Sequence, residues 1–134
     1  MRSAVLDSDA VLALFFDEPS AEQVENILHA AAEADKPALI DAVNWAEVLC
    51  MMRRIRGEEG VAAAKRFAET LPVQVVPVDG ELTEVVAKLK SVHELPLSCS
   101  FAAALAIQKK AELVTGNISF KSVEGELKRI VWLK

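Results

Sequence analysis

Residues 3–16 read SAVLDSDAVLALFF. A short apolar run stops at Asp7, the acidic pair Asp7 and Asp9 brackets Ser8, and a second apolar run then extends from Ala10 to Phe16. A few apolar residues, a polar turn and a longer apolar stretch form the opening of a strand, turn and helix unit. Outward from this stretch the same alternation recurs, and it predicts strands over Ser3–Leu6, Ala38–Ile40, Val73–Val76, Glu112–Thr115 and Ile130–Leu133. Between the first two, Ser20 and Gln23 make a capping box ahead of Val24, Ile27, Leu28 and Ala31 on one helical face. Asp41 is placed to cap the next helix, which Gly57 ends, and a further helix covers Glu58–Leu71 before Pro72. Helices from Asp79 through Val92 and from Ser98 to Lys110 complete the pattern. Strand and helix in regular succession predict an α/β protein, with a mostly parallel five-stranded sheet covered by helices on both faces.

The chain has 134 residues, 52% of them hydrophobic and 26% charged, with a formal net charge of −5. That length suits a single domain over residues 1–134, and no repeat, linker or shift in composition divides it. The longest apolar runs, Ala10–Phe16 and Phe101–Ile107, fall well short of the roughly 20 residues a membrane span needs. No signal-peptide pattern follows Arg2, so a cytoplasmic protein is expected, with Cys50 and Cys99 as free thiols. A pI of 5.1 argues against non-specific duplex binding, and 5% aromatic residues with no Tyr argue against a base-stacking platform. The high apolar fraction predicts a dimer or a groove for a partner helix, with the helix after Ser20 and the Ala-rich helix from Ser98 as the candidate surfaces.

In open α/β sheets, ligands bind beyond the carboxyl ends of the strands. The positions there are Asp7 and Asp9, Asp41, and the turn Thr115-Gly116-Asn117; Asn44 and Glu47 share one face of the helix after Asp41. Carboxylates gathered from separate strand ends repel one another unless a cation lies between them, and hard oxygen donors suit Mg²⁺ or Mn²⁺. Metal-assisted cleavage of a phosphate ester is the chemistry such a cleft supports. Each Asp also has a plain reading as a helix cap, and Glu47 as a solvated charge. Arg53, Arg54 and Arg56, with Lys65 and Arg66, read either as a phosphate-contacting rim or as a solvated helix face. His29 and His93 are isolated and carry no assignment.

The segments VLDSDAVL (5–12), Glu18-Pro19, NWAEV (44–48), LPLSCSFAAALA (95–106), LVTGN (113–117) and Val131-Trp132-Leu133 occur in this order over nearly the whole chain. Together they resemble a PIN domain of the VapC toxin type. The resemblance implies a PIN-like three-layer α/β/α sandwich. It further implies a cytoplasmic endoribonuclease that uses Mg²⁺ or Mn²⁺ to activate a water for RNA hydrolysis, usually a homodimer and often paired with a small antitoxin protein. Of the four acidic positions it implies, Asp7 matches the first and Glu47 the second, while Cys99 stands at the third and Asn117 at the fourth. Asn44 and Thr115 match polar positions beside that site. A thiol and an amide in place of two carboxylates weaken the hold on Mg²⁺; Asn117 can still offer a carbonyl oxygen, and Asp9 is the candidate replacement carboxylate. Cys99 equally reads as a small buried apolar residue.

Two further readings stand beside the ribonuclease. The loss of two acids fits a PIN-fold module that binds RNA or a protein partner without turnover. Asp7-Ser8-Asp9 after a strand also resembles the nucleophile motif of haloacid-dehalogenase phosphatases, although the Asn117 turn lacks the acidic pair that family needs.

Overall fold

The computed structural model of the chain describes residues 3–134. Its elements run β1 (Ala4–Leu6), α1 (Ser8–Phe15), α2 (Ala21–Glu33), β2 (Ala38–Asp41), α3 (Ala42–Thr70), β3 (Val73–Val76), α4 (Gly80–Val92), α5 (Leu97–Lys109), β4 (Glu112–Thr115), a 3-10 helix (Ile118–Glu126) and β5 (Ile130–Trp132). The five strands form one sheet in the order β3-β2-β1-β4-β5, and every pairing is parallel. Among the described residues no helix is long and apolar enough to cross a membrane.

Period-two alternation divides the strand side chains between two cores. Val5, Leu113 and Ile130 pack with α4, α5 and the 3-10 helix around Leu82, Leu105 and Phe120. Ala4, Leu6, Ile40 and Val114 pack with α1, α2 and α3 around Val24, Val48 and Met52. The result is the three-layer arrangement that the alternation of elements predicts.

Several local expectations are corrected. Helix α1 begins at Ser8, because Asp7 is its cap and accepts from Ala10 N at 2.9 Å; Asp9 lies in the first turn and caps nothing. Ser20 does not cap α2: its backbone is helical, at φ −83° and ψ −3°, whereas a capping side chain needs the extended region. Gln23 reaches instead across to the β5 carbonyl of Trp132, at 3.0 Å. The Ala-rich α5 is no free surface, since Ala102 through Ala106 are at most 1% exposed. Small side chains let this helix lie close on the sheet and against α4. One groove of about 470 Å³ is lined by Leu14, Phe15, Leu28, Phe67 and Leu71, from α1, α2 and the end of α3.

Gly57 breaks α3 as its position predicts, with φ +63° and ψ −153° inside what is otherwise continuous helix. Only glycine occupies that region without strain. Three residues on, the close approach is spatial: a Cβ on Gly60 would lie 2.5 Å from the backbone oxygen of Met52. In urea denaturation, Gly57→Ala is expected to cost about 1–3 kcal/mol through backbone strain. Gly60→Ala is expected to cost at least about 2 kcal/mol through collision with backbone that cannot swing aside.

Candidate active site at the β1 and β4 strand ends

The winding of the sheet reverses between β1 and β4, with β2 and β3 laid down on one side of β1 and β4 and β5 on the other. The crevice of such a sheet opens at this reversal, and its walls are the turns that follow the two strands. Asp7 leaves β1 there, 3% exposed, and Thr115 ends β4 there, fully buried. The Thr115 hydroxyl donates to Asp7 Oδ2 and accepts from the backbone N–H of Asn117, at 2.9 Å for the latter. With Oδ1 capping α1, both oxygens of Asp7 are held.

A pocket of about 150 Å³ lies against this seam. Asp7, Ser8 and Asp9 line it from β1 and α1, Asn44 and Glu47 from α3, Ser98 and Cys99 from α5, and Asn117 from the turn after β4. Glu47 Oε1 accepts from Ser8 Oγ at 2.9 Å, so the α3 carboxylate is tied to the turn carrying Asp7. Burial pushes the Asp7 carboxyl up to about 7; the hydrogen bonds from Thr115 and Ala10 oppose the rise, and the charges of Asp9 and Glu47 add to it. Asp9 is raised as well, first by the protein around it and then by Glu47. The three carboxylates thus repel one another across the pocket.

Cys99 is 6% exposed, and burial followed by the charges of Asp7, Glu47 and Asp9 pushes its thiol up to about 11. It is a neutral thiol at ordinary pH. Asn117 Nδ2 donates to Cys99 Sγ at 3.5 Å, and Asn117 Oδ1 accepts from Ser119 N at 2.9 Å to cap the 3-10 helix. The carbonyl oxygen that the sequence offers to a cation is therefore engaged in the cap.

Among the described residues no three His, Cys, Asp or Glu side chains stand close enough to hold one metal ion. The mutual repulsion of Asp7, Asp9 and Glu47 across the pocket nonetheless fits a divalent cation bound by a partial protein set. Mg²⁺ is commonly held this way, through one or two carboxylates with water and substrate phosphate supplying the rest.

The basic rim is partly committed within the chain. Arg53 pairs with Glu58 through two hydrogen bonds, at 2.7 and 3.2 Å, across the Gly57 bend. Arg56 donates to the carbonyl of Phe15 at 2.8 Å and lies 5.0 Å from the centre of the Phe16 ring. Arg54 is exposed and, among the described residues, makes no ion pair. None of the three lines the acid pocket. A larger depression of about 550 Å³ opens beyond Asp9, floored by Leu12, Phe16, Met51 and Ile55.

Sequence reasoning missed two features here. Asp41, read as a strand-end acid or as a cap, is a fully buried carboxylate outside the lining of the acid pocket; it caps α3 and also holds the Asn44 side chain at 2.7 Å, and burial raises its carboxyl above the usual range. His93, left without a role, pairs with Glu126 at 2.9 Å and so ties the approach to α5 to the end of the 3-10 helix.

The fold has counterparts among solved structures. VapBC2 of Rickettsia felis, solved bound to a promoter DNA fragment, superposes with a TM-score of 0.80 at 18% identity over 98% of both chains. A toxin-antitoxin complex from Klebsiella pneumoniae gives 0.69 at 23% identity over 96% of both. VapC20 of Mycobacterium tuberculosis, described as a sarcin-ricin loop cleaving toxin, gives 0.64 at 17% identity, covering 83% of this chain and 87% of that one. At these identities the likeness is one of fold, and no curated protein gives a significant sequence match. The profile of the PIN domain matches residues 4–126, which takes in every strand but the last and all the lining of the acid pocket, and the chain therefore belongs to the PIN domain family.

Proposed function

We propose that this PIN domain is an endoribonuclease of the VapC toxin type that works with a reduced acid set. The observation that carries the reading is the convergence of Asp7, Asp9 and Glu47 on one pocket at the β1 and β4 strand ends. Asp7 and Glu47 would hold Mg²⁺ or Mn²⁺, with Asp9 at the rim in place of one missing acid. When bound, the cation supplies positive charge to a phosphate oxygen and lowers the barrier to hydrolysis of the RNA phosphodiester.

The chain's own residues do the arranging. Thr115 and the first turn of α1 fix the direction of both Asp7 oxygens, so the carboxylate loses little freedom on taking up charge. Ser8 does the same for Glu47. Asn117 keeps a neutral amide beside Cys99 where the family carries a carboxylate, which lowers the negative charge that an incoming phosphate meets. Arg54 is free to meet the RNA backbone, whereas Arg53 and Arg56 would first have to leave Glu58 and Phe15. The solved relatives that carry antitoxins suggest a small antitoxin partner for this chain too. A cytoplasmic homodimer completes the reading.

A second reading has its own observation. Cys99 and Asn117, at the two positions that have lost their acids, touch each other as a neutral pair, which suits a module that binds RNA or protein without turnover. RNA cleavage in Mg²⁺ and in Mn²⁺ separates the two. For a ribonuclease, Asp7→Asn and Glu47→Gln are each expected to slow cleavage at least about 100-fold. Cleavage indifferent to Asp7→Asn overturns the reading, and RNA binding without turnover at high protein concentration selects the second.

A further inference from the structure

Of the four chain segments around the acid pocket, three are the turn from β1 into α1, the first turn of α3, and the first turn of α5. One side chain touches all three. Asn44 is 2% exposed; its Oδ1 accepts from Ser8 N at 3.1 Å, and its Nδ2 donates to Asp41 Oδ2 at 2.7 Å and to the carbonyl of Ser98 at 2.9 Å. Its backbone N–H donates to Asp41 Oδ1 at 2.8 Å, which seats the residue in the capped turn. Ser8, held through its backbone by Asn44, turns its hydroxyl to Glu47, one helical turn further along α3. The hydrogen bonds thus run from α3 to the Asp7 turn and return to α3 at Glu47.

We propose that Asn44 is a positioning residue, whose simultaneous grip on Ser8, Asp41 and Ser98 sets the spacing of the pocket walls and with it the placing of Asp7, Glu47 and Cys99. The significance of that placing for catalysis rests on the ribonuclease reading; the positioning itself does not. Asparagine is the side chain the geometry requires, because the three partners ask for one acceptor and two N–H donors from one planar group. Serine or threonine has a single O–H and can serve at most two of the three. Aspartate has no donor and would set a second buried charge against Asp41. Alanine leaves Ser8 N, Asp41 Oδ2 and the Ser98 carbonyl without this partner.

The test uses the full chain carrying Cys50→Ser, so that Cys99 is the one thiol. Labelling of Cys99 by an aromatic disulfide reagent reads the α5 wall, and amide exchange at Ser8 reads the β1 and α1 wall. Leu28→Ala in α2, matched in stability with denaturant, controls for general loosening. Asn44→Ala is expected to speed both rates at least 10-fold over that control, with Asn44→Ser between it and the parent. Should Asn44→Ala fail to fold, Asn44→Ser carries the comparison alone. Rates within twofold of the Leu28→Ala control overturn the proposal. Mn²⁺ titration by calorimetry supplies an independent arm: a parent that binds Mn²⁺ and an Asn44 variant that binds within twofold of it also overturn the proposal. A parent that binds no Mn²⁺ counts against the cation reading instead, and labelling and exchange still decide the role of Asn44.

Discussion

Asp7→Asn is expected to make the cation-free protein more stable, by an amount that grows with pH. The Asp7 carboxyl sits near 7 in the folded chain, against an ordinary value of 3.8. A carboxyl raised on folding favours the folded state while protonated. Its contribution is complete below about pH 4, declines as pH rises toward 7, and is absent above that. The full span corresponds to on the order of 4 kcal/mol. Asparagine keeps an oxygen for the Ala10 N–H and removes the buried charge at the loss of the acceptor for the Thr115 hydroxyl, so the variant should gain on the parent steadily from about pH 4 up to about pH 8. Urea denaturation across that range, in chelator, measures the gap. A parent as stable as the variant at pH 8 would show that Asp7 bears no buried charge. Added Mn²⁺ should narrow the gap by stabilising only the parent, since a ligand that binds the folded state alone shifts the equilibrium toward it.

Restoring the two absent carboxylates should act in the opposite sense. Cys99→Asp combined with Asn117→Asp adds two negative charges to a pocket that already crowds three acids. Aspartate at position 117 can still cap the 3-10 helix through Ser119 N, so the local fold there is kept. Repulsion and the burial of a charge at position 99 should lower the melting temperature of the cation-free double variant by several degrees. Cation affinity should rise at least about 10-fold, because hard carboxylate oxygens replace a thiol that Mg²⁺ does not favour. Calorimetry and thermal denaturation on the same samples test both halves. Unchanged affinity would mean that these two positions do not reach the cation.

Much of the fold was legible because its signals are local. Asp41 and Asp79 cap helices as their positions suggest, Gly57 breaks α3, and Val73–Val76 and Glu112–Thr115 are strands with the predicted ends. Where the reading failed, a distant partner had decided the outcome. Gln23 leaves its supposed capping box for a carbonyl 109 residues away, and the 3-10 helix after Asn117 has no apolar period to announce it. Alanine-rich α5 looked like a contact surface because small residues score as apolar at any depth, and only packing reveals that they bring a helix close to a sheet. At the site, the strand-end acids could be read because the topology of α/β sheets brings such ends together. Asn44 could be seen only as a polar residue on the Glu47 face, at a position that the resemblance sets beside the site. Its partners Ser8 and Ser98 lie 36 and 54 positions away, and no spacing rule links them.

The strand order also dictates when the pocket can exist during synthesis. β1 leaves the ribosome before β4, yet β4 is the neighbour that completes the Asp7 wall, and the Thr115 hydroxyl lies 108 residues downstream of the carboxylate it holds. A nascent chain that has not yet extruded Glu112–Thr115 can pair β1 with β2 on one side, while the other edge of β1 stays open and Asp7 lacks its seam. Any activity built on that carboxylate therefore waits on the synthesis of β4, and a product that stops short of Glu112–Thr115 lacks the seam that holds Asp7.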